Sequence, residues 1–241
     1  VPAQVSAWSV PGHLGPRIVC FVNAWSIVSA QRDADFRSAI NDSHLSVVDG
    51  VPVAWLGRLL TGSACDRLSG PDLMHLLLTS PAHAELRHFV YGGSQDSLDR
   101  LEFRYNRGGV SGPRRIVGTY SPPFRALTPE EEQAFIDRIS ALRPNLLWVC
   151  LGTASQEKWM ARMRTRLDVP VMLGVGAAVD FLSGAKPRAP RWLQRAGLEW
   201  LFRLVTEPRR LWRRYLVGNV RFLRIALAEL LRRRPAPREQ S

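Results

Sequence analysis

LLWVCLGTASQEKWMARMRTRL, residues 146–167, is the stretch whose reading decides the fold. Residues 146–151 are apolar at odd and even positions alike, so an extended chain here would bury both of its faces. That is the pattern of a strand inside a parallel sheet, with helices above and below it. Gly152-Thr153 break the run, Ser155 is predicted to cap, and residues 156–167 carry a helical pattern. Strand, tight turn and helix in succession form the repeating half of a βαβ unit.

Working outward, the same alternation recurs. Short β-branched or apolar runs lie at residues 17–22, 45–48, 88–91, 115–119 and 169–173. Helical patterns separate them, the clearest at residues 129–142 with Thr128 as cap and acids in its first turn. The predicted fold is therefore α/β: a Rossmann-like, mainly parallel sheet flanked by helices. Ligands in such sheets bind at the carboxyl ends of the strands. Those ends carry polar or Gly-rich punctuation here: Asn23, Asp49-Gly50, Gly92-Gly93-Ser94, residues 120–123 and Gly152-Thr153. The first 16 residues and the tail after Pro235 are expected to be poorly ordered.

After Asp180 the strand pattern stops, and Pro187, Pro190 and Pro208 divide a helical region into short pieces. Charge changes there too. Residues 181–241 contain 15 Lys+Arg and 4 Asp+Glu, against 18 and 17 in residues 1–180, so nearly all of the formal +12 lies in the C-terminal block. Trp, Leu and Phe are interleaved with those arginines, as in amphipathic helices that meet an anionic surface, whether phospholipid or nucleic acid. The predicted organisation is a catalytic core over residues 1–185 and a basic amphipathic helical appendage over 186–241.

Several classes are disfavoured. No run reaches the roughly 18–20 apolar residues of a membrane-spanning helix. No basic n-region with an apolar h-region opens the chain, so no secretory signal is expected. Cys20, Cys65 and Cys150 form no CxxC pair, which speaks against a zinc site or a disulfide framework and for a reducing cytoplasm. The histidines at 13, 44, 75, 83 and 88 show no metal spacing, and neither GxGxxG nor GxxxxGK[ST] occurs. Asp33 and Asp35 spell a DxD, but in a helical stretch i and i+2 point in different directions, so a solvated face is expected rather than a metal site.

Positive signals remain. YGGSQDS places two glycines and a serine between strand and helix, where backbone N–H groups suit a diphosphate; an ordinary tight turn accounts for it equally. Asp49 ends the apolar run LSVVDG, well placed to accept a proton; an Asx turn or a cap explains it as well. Gln156, Glu157 and Lys158 open one helix, and Asp180 follows the Gly-rich turn of VGAAVDFLSG.

Taken together these pieces resemble the WecG/TagA/CpsF glycosyltransferase family. They are VNAWSIVSA (22–30), VVDGVPVAWLGRLL (47–60), DRLSGPDLM (66–74), YGGS (91–94), YSPPF (120–124), LWVCLGTASQEKWM (147–160), VGAAVDFLSG (175–184), RAPRWLQRAGLEWLFRL (188–204) and EPRRLWRRYLVGN (207–219). The resemblance implies an inverting transfer of a hexose-type residue from a UDP-sugar to a polyprenyl-diphosphate-linked sugar. It also implies a peripheral position on the cytoplasmic membrane face and no metal cofactor. By the same resemblance Asp49 is the base, with Asn23 and Arg67 as further catalytic positions. Gly92, Gly93, Gln156, Asp180, Arg203, Arg210 and Arg213 are the substrate-binding ones. One departure is Phe21, where the family often has Thr two residues before the Asn. The rival class is a nucleic-acid-binding protein using the basic tail. Its support is charge alone, with no helix-turn-helix, RRM or KH signature, so a membrane partner is expected and a nucleic acid is not. A homo-oligomer is left open.

Overall fold

The computed structural model describes residues 1–9, 15–107 and 115–232. His13 and the tail after Pro235 lie outside the described residues. In chain order the elements begin with α1 (Pro2–Trp8), β1 (Arg17–Val22), α2 (Ala24–Ala30), α3 (Ala34–Asn41), β2 (Leu45–Val48), α4 (Val51–Thr61) and α5 (Gly70–Thr79). There follow β3 (His88–Tyr91), α6 (Gln95–Glu102), β4 (Ile116–Tyr120), α7 (Pro129–Leu142), β5 (Leu146–Val149), α8 (Ser155–Met163), β6 (Val171–Gly174) and α9 (Ala178–Leu182). The C-terminal helices are α10 (Arg191–Arg195), α11 (Glu199–Thr206), α12 (Pro208–Trp212), a π-helical turn (Arg213–Val217) and α13 (Gly218–Arg232).

The strands form one six-stranded sheet in the order β2-β1-β6-β5-β3-β4, parallel throughout, as the α/β reading predicts. Alternation along each strand splits the core into two layers. Val19, Val90, Trp148 and Leu173 face one layer with Leu98 and Leu101 of α6. Ile18, Phe89, Leu147 and Met172 face the other with Phe135 of α7 and Trp159, Met160 and Met163 of α8. Both faces of the strands are thus covered, which explains runs with no polar alternation.

Sequence and structure differ in details with physical causes. Residues 1–16 were expected to be poorly ordered, yet α1 forms, started by Pro2 and pinned by the fully buried Val5. Ser155 is not the cap of α8. Ala154 holds that position at φ 73°, and Glu157 reaches back to accept its N–H at 2.8 Å. Thr128 does cap α7, in a reciprocal box with Glu131. Asp33 lies just outside α3 and Asp35 in its first turn.

Contacts divide the chain into two compact units. The first comprises residues 1–21, 35–47 and 68–188, and the second 22–34, 48–67 and 189–241. The first holds nearly all of the sheet and both core layers. The second joins α2 and α4 to the C-terminal helices around Val28, Val53 and Phe222. Where α13 begins it passes so close to α2 that a Cβ on Gly218 would come within 2.9 Å of the Trp25 ring.

Candidate active site

In the first unit the polar groups gather at the carboxyl ends of β3, β5 and β6. The chain leaves β5 toward β6 and leaves β3 toward β4, on opposite sides, so the neighbouring pair β5–β3 is the switch point of the sheet. Ligands of open α/β sheets bind at such points. The loops there are Gly92-Gly93 after β3 and Gly152–Ala154 after β5. Gly92 has φ 104°, and a Cβ on it would lie 2.7 Å from the Cys150 carbonyl oxygen, so only glycine fits. A Cβ on Gly93 would lie 3.2 Å from Val179, the residue before Asp180. Ser94 caps α6 through its Oγ, which accepts from Ser97 N–H at 3.2 Å.

Gln156 is buried, and its amide is engaged on both sides. Nε2 donates to the Gly174 carbonyl at 2.8 Å and to Glu157 Oε1 at 2.9 Å, while Oε1 accepts from Gly176 N–H at 2.9 Å. It therefore ties α8 to the end of β6 and fixes the turn leading to α9. Asp180, in the first turn of α9, is ion-paired with Lys186 at 2.7 Å. The structure thus brings Gly92, Gly93, Gln156 and Asp180 into one region of this unit. Two further residues belong there. Glu157 is buried beneath the β5–α8 turn, and Ser121 Oγ donates to the Gly93 carbonyl at 2.7 Å. Their signals were in the sequence, as a first-turn acid and a serine at a strand end, but each pattern is common. The thiols are inert: burial, first, pushes both Cys20 and Cys150 up to about 12. Phe21 sits in the apolar core, 5% exposed, so its side chain offers a ligand nothing.

In the second unit Asn23 caps α2. Its Oδ1 accepts from Trp25 N–H at 3.0 Å and Ser26 N–H at 3.2 Å, and Ser26 Oγ returns the contact to the Asn23 backbone. The cap uses the oxygen and leaves the Nδ2 hydrogens outside it. A Cβ on Gly50 would lie 4.0 Å from Asn23 Cβ, and Asp49 N–H donates to the Val22 carbonyl at 2.9 Å. Asn23 and Asp49 are therefore neighbours, the latter half-buried. Arg67 is engaged elsewhere, donating to the Gln194 carbonyl at 3.1 Å and so holding the end of α10.

The expected arginines of this unit, Arg203, Arg210 and Arg213, part company: Arg203 is half-buried in α11. Arg210 is ion-paired with Glu207. Arg213 is exposed and lies over the Trp212 ring at 5.2 Å. Arg214, next in the chain and not among the expected residues, is half-buried. Its Nε is sealed from solvent with no hydrogen-bond partner. Burial, first, lowers its pKa; Tyr215 and Asp49 act to raise it, and Arg203 and Arg210 to lower it. Arg203, Arg210 and Arg214 thus share one electrostatic neighbourhood with Asp49. Arg210 and Arg214 are four apart, the spacing of one helix face, and that was the signal available.

The outer surface of the same unit is apolar to an unusual degree. Trp55 and Leu59 of α4, Trp192, Val205, Trp212 and a row along the last helix, Val220, Leu223, Leu227 and Leu231, are all exposed. Residues 189–241 carry thirteen Arg against four Glu. Trp200 and Leu204 are only half exposed, with Trp200 against Tyr215. Among the described residues no helix is long and apolar enough to cross a membrane.

A polar loop cluster at the switch point of a parallel sheet, and a carboxylate neighbouring guanidinium groups, suit transfer of a group from an activated phosphate ester. The chain belongs to the family described as "Glycosyl transferase WecG/TagA/CpsF family", whose model matches residues 3–236; it is a glycosyltransferase. A Bacillus subtilis (strain 168) relative, N-acetylglucosaminyldiphosphoundecaprenol N-acetyl-beta-D-mannosaminyltransferase, is 27% identical over 199 residues, covering 83% of this chain and 75% of the relative.

Proposed function

We propose that this glycosyltransferase moves a hexose-type residue from a UDP-sugar to a polyprenyl-diphosphate-linked saccharide, with inversion, in the synthesis of cell-surface polysaccharide or cell-wall polymer. The observation that carries it is the placing of Asp49 beside Asn23, each just past the end of a strand. The relative's printed name, a sugar transferase acting on a diphosphoundecaprenol-linked sugar, supports the acceptor class.

In a single displacement the acceptor hydroxyl oxygen bonds to the anomeric carbon while the bond from that carbon to the diphosphate oxygen breaks. The hydroxyl proton passes to Asp49, and the bonding pair leaves with UDP. Asn23, through its free amide hydrogens, orients the acceptor. The Gly92-Gly93 loop receives the nucleotide phosphates through backbone N–H groups. Gln156 shapes the turn at Gly176, and Asp180 offers a carboxylate to sugar hydroxyls. Arg203, Arg210 and Arg213 stabilise departing charge, for which guanidinium suits diphosphate. Arg67 keeps α10 in place. No divalent metal is assigned a role, so EDTA should leave the rate largely intact. Docking of the exposed apolar and arginine-rich surface on anionic lipid would hold the enzyme peripherally on the cytoplasmic face of the membrane, where its lipid-linked acceptor is.

The test is a screen of UDP-sugars with a short-chain polyprenyl-diphosphate sugar acceptor, reading UDP release and product. Acceptor-dependent release with one donor is expected. No release with any donor, together with tight nucleic-acid binding in a shift assay, would favour the basic-tail reading instead.

A further inference from the structure

We propose that the exposed apolar stripe of α4, Pro52, Trp55 and Leu59, receives the first isoprene units of the acceptor's polyprenyl chain and so selects lipid-linked acceptors. The inference rests on the reading of a polyprenyl-diphosphate acceptor with Asp49 as the base. Three observations lead to it. First, the stripe is a continuous feature of one helix face. Its residues lie at i, i+3 and i+7, the spacing that aligns side chains along a helix. All three are exposed, Trp55 by 62% and Leu59 by 69%. Val53, two residues from Trp55 and so on the other side of the helix, is buried in the cluster with Val28 and Phe222. A packed helix needs one apolar face, and this one has two. Second, the stripe starts beside the base. Pro52 lies in the first turn of α4, and a Cβ on Gly50 would sit 3.9 Å from Pro52 Cδ and 4.0 Å from Asn23 Cβ. From Pro52 to Leu59 the helix advances about 10 Å away from that end. Third, α11 begins against the same end of α4. A Cβ on Gly197, two residues before α11, would lie 3.0 Å from Val51 Cβ, and α11 carries Arg203 in its last turn.

A lipid-linked acceptor has a fixed order: reacting hydroxyl, sugar, diphosphate, then isoprenoid chain. Within the second unit the protein presents the matching order. The Asp49 carboxylate comes first, an arginine-bearing helix meets the first turn of α4, and the apolar stripe then runs away from both. Isoprene units drawn toward Asp49 leave the bilayer, and apolar cover on the enzyme offsets that loss. Tryptophan suits the task, because it offers a broad, rigid apolar surface. A bilayer contact needs no particular starting point, whereas a substrate chain must begin where its sugar ends. The stripe begins there.

The experiment uses the full chain without vesicles and two water-dispersed acceptors of the same sugar and diphosphate, one carrying a farnesyl chain and the other a methyl group. KM and calorimetric Kd for each acceptor are measured for wild type, Trp55→Ser, Leu59→Ser and Trp55→Phe, with the thermal midpoint of every protein. Wild type should favour the farnesyl acceptor about a hundredfold in both constants, and either serine variant should cut that preference about tenfold. Trp55→Phe, which keeps an aromatic surface, should retain most of it. The same preference in all four proteins, or none in wild type, would overturn the proposal. An unchanged preference together with lost sedimentation of the serine variants on phosphatidylglycerol vesicles would give the stripe to the bilayer instead. Should Trp55→Ser fail to fold, Leu59→Ser decides alone. If wild type releases UDP with neither acceptor, the transfer reading fails and calorimetry decides the stripe by itself, whereas normal release with an unmoved preference sinks only the present inference.

Discussion

Asp49 and His88 are the two side chains whose protonation has consequences that can be measured. Asp49→Asn keeps the shape and removes the basicity. Turnover should fall roughly 100- to 10,000-fold while UDP binding survives; near-normal turnover would move attention to Asp180. His88 is fully buried, stacked on Trp148, and its Nδ1 accepts from Trp148 Nε1 at 2.9 Å. Burial, then Arg115 and His83, push its pKa down to about 3 from 6.5. Between those two pH values the unfolded chain binds the proton and the folded one does not. Stability is therefore complete above about pH 6.5 and lost as pH falls toward 3, by about 3 kcal/mol between pH 7 and pH 4. Denaturant melts at the two pH values check this, and His88→Gln should flatten the difference. At this scale the sequence was a partial guide. Asn23 and Asp49 were identifiable because each follows an apolar strand directly. Arg213 was named through the family resemblance alone; nothing in the letters announces the π-turn that it opens, and the inward face of a helix cannot be ranked when arginines occupy both sides.

Among the elements, the β3–α6 loop is the least tolerant. Gly92→Ala would force a Cβ to within 2.7 Å of a backbone oxygen at φ 104°, and neither can give way. A loss of about 2–3 kcal/mol and weaker UDP binding are expected, from thermal melts and nucleotide titration. The β5–α8 turn shows the reverse case. Ala154 sits at φ 73° and ψ −43°, so Ala154→Gly should raise stability by up to about 1 kcal/mol; a lowered midpoint would mean that the turn is unstrained. Strands and long helices were legible because burial on both faces and a capping box leave unmistakable patterns, as in residues 146–149 and 129–142. The cap of α8 was not, because the acceptor is supplied from inside the helix by Glu157 rather than by a residue before it. Helix α1 was missed because seven residues gain their order from one buried valine, not from any local propensity.

Taken whole, the molecule places most of its net charge and most of its exposed apolar side chains in the same unit. Leu223→Ser with Leu227→Ser alters only exposed positions, so the folded state should change by less than about 0.5 kcal/mol. Binding to vesicles containing phosphatidylglycerol should nonetheless drop at least tenfold, since each lost leucine forfeits more than 1 kcal/mol of burial in lipid. Raising salt to 0.5 M should weaken wild-type binding as well; equal sedimentation of variant and wild type with the vesicles would remove the last helix from the docking surface. Deleting residues 189–241 is a harsher change than the sequence suggests. Val28 and Val53 would lose Phe222, and Arg67 would lose the Gln194 carbonyl to which it donates. Such a truncated chain should be inactive even on a water-dispersed acceptor, and full activity would reduce the C-terminal helices to an anchor.

The close approach of Gly218 to Trp25 has a consequence during synthesis. The partners are separated by about 190 residues, so this part of the protein can close only once the chain has been made as far as α13. Loop closure over such distances is slow, and an apolar surface awaiting its cover is prone to misassembly. On the ribosome, Val28 and Val53 must wait exposed, or chaperoned, until α13 emerges. This cluster of the second unit is therefore completed only when α13 has been made. A chain that stops short of α13 lacks Phe222 for this cluster and the exposed row Val220, Leu223, Leu227 and Leu231, so synthesis beyond residue 218 is the step that completes the second unit.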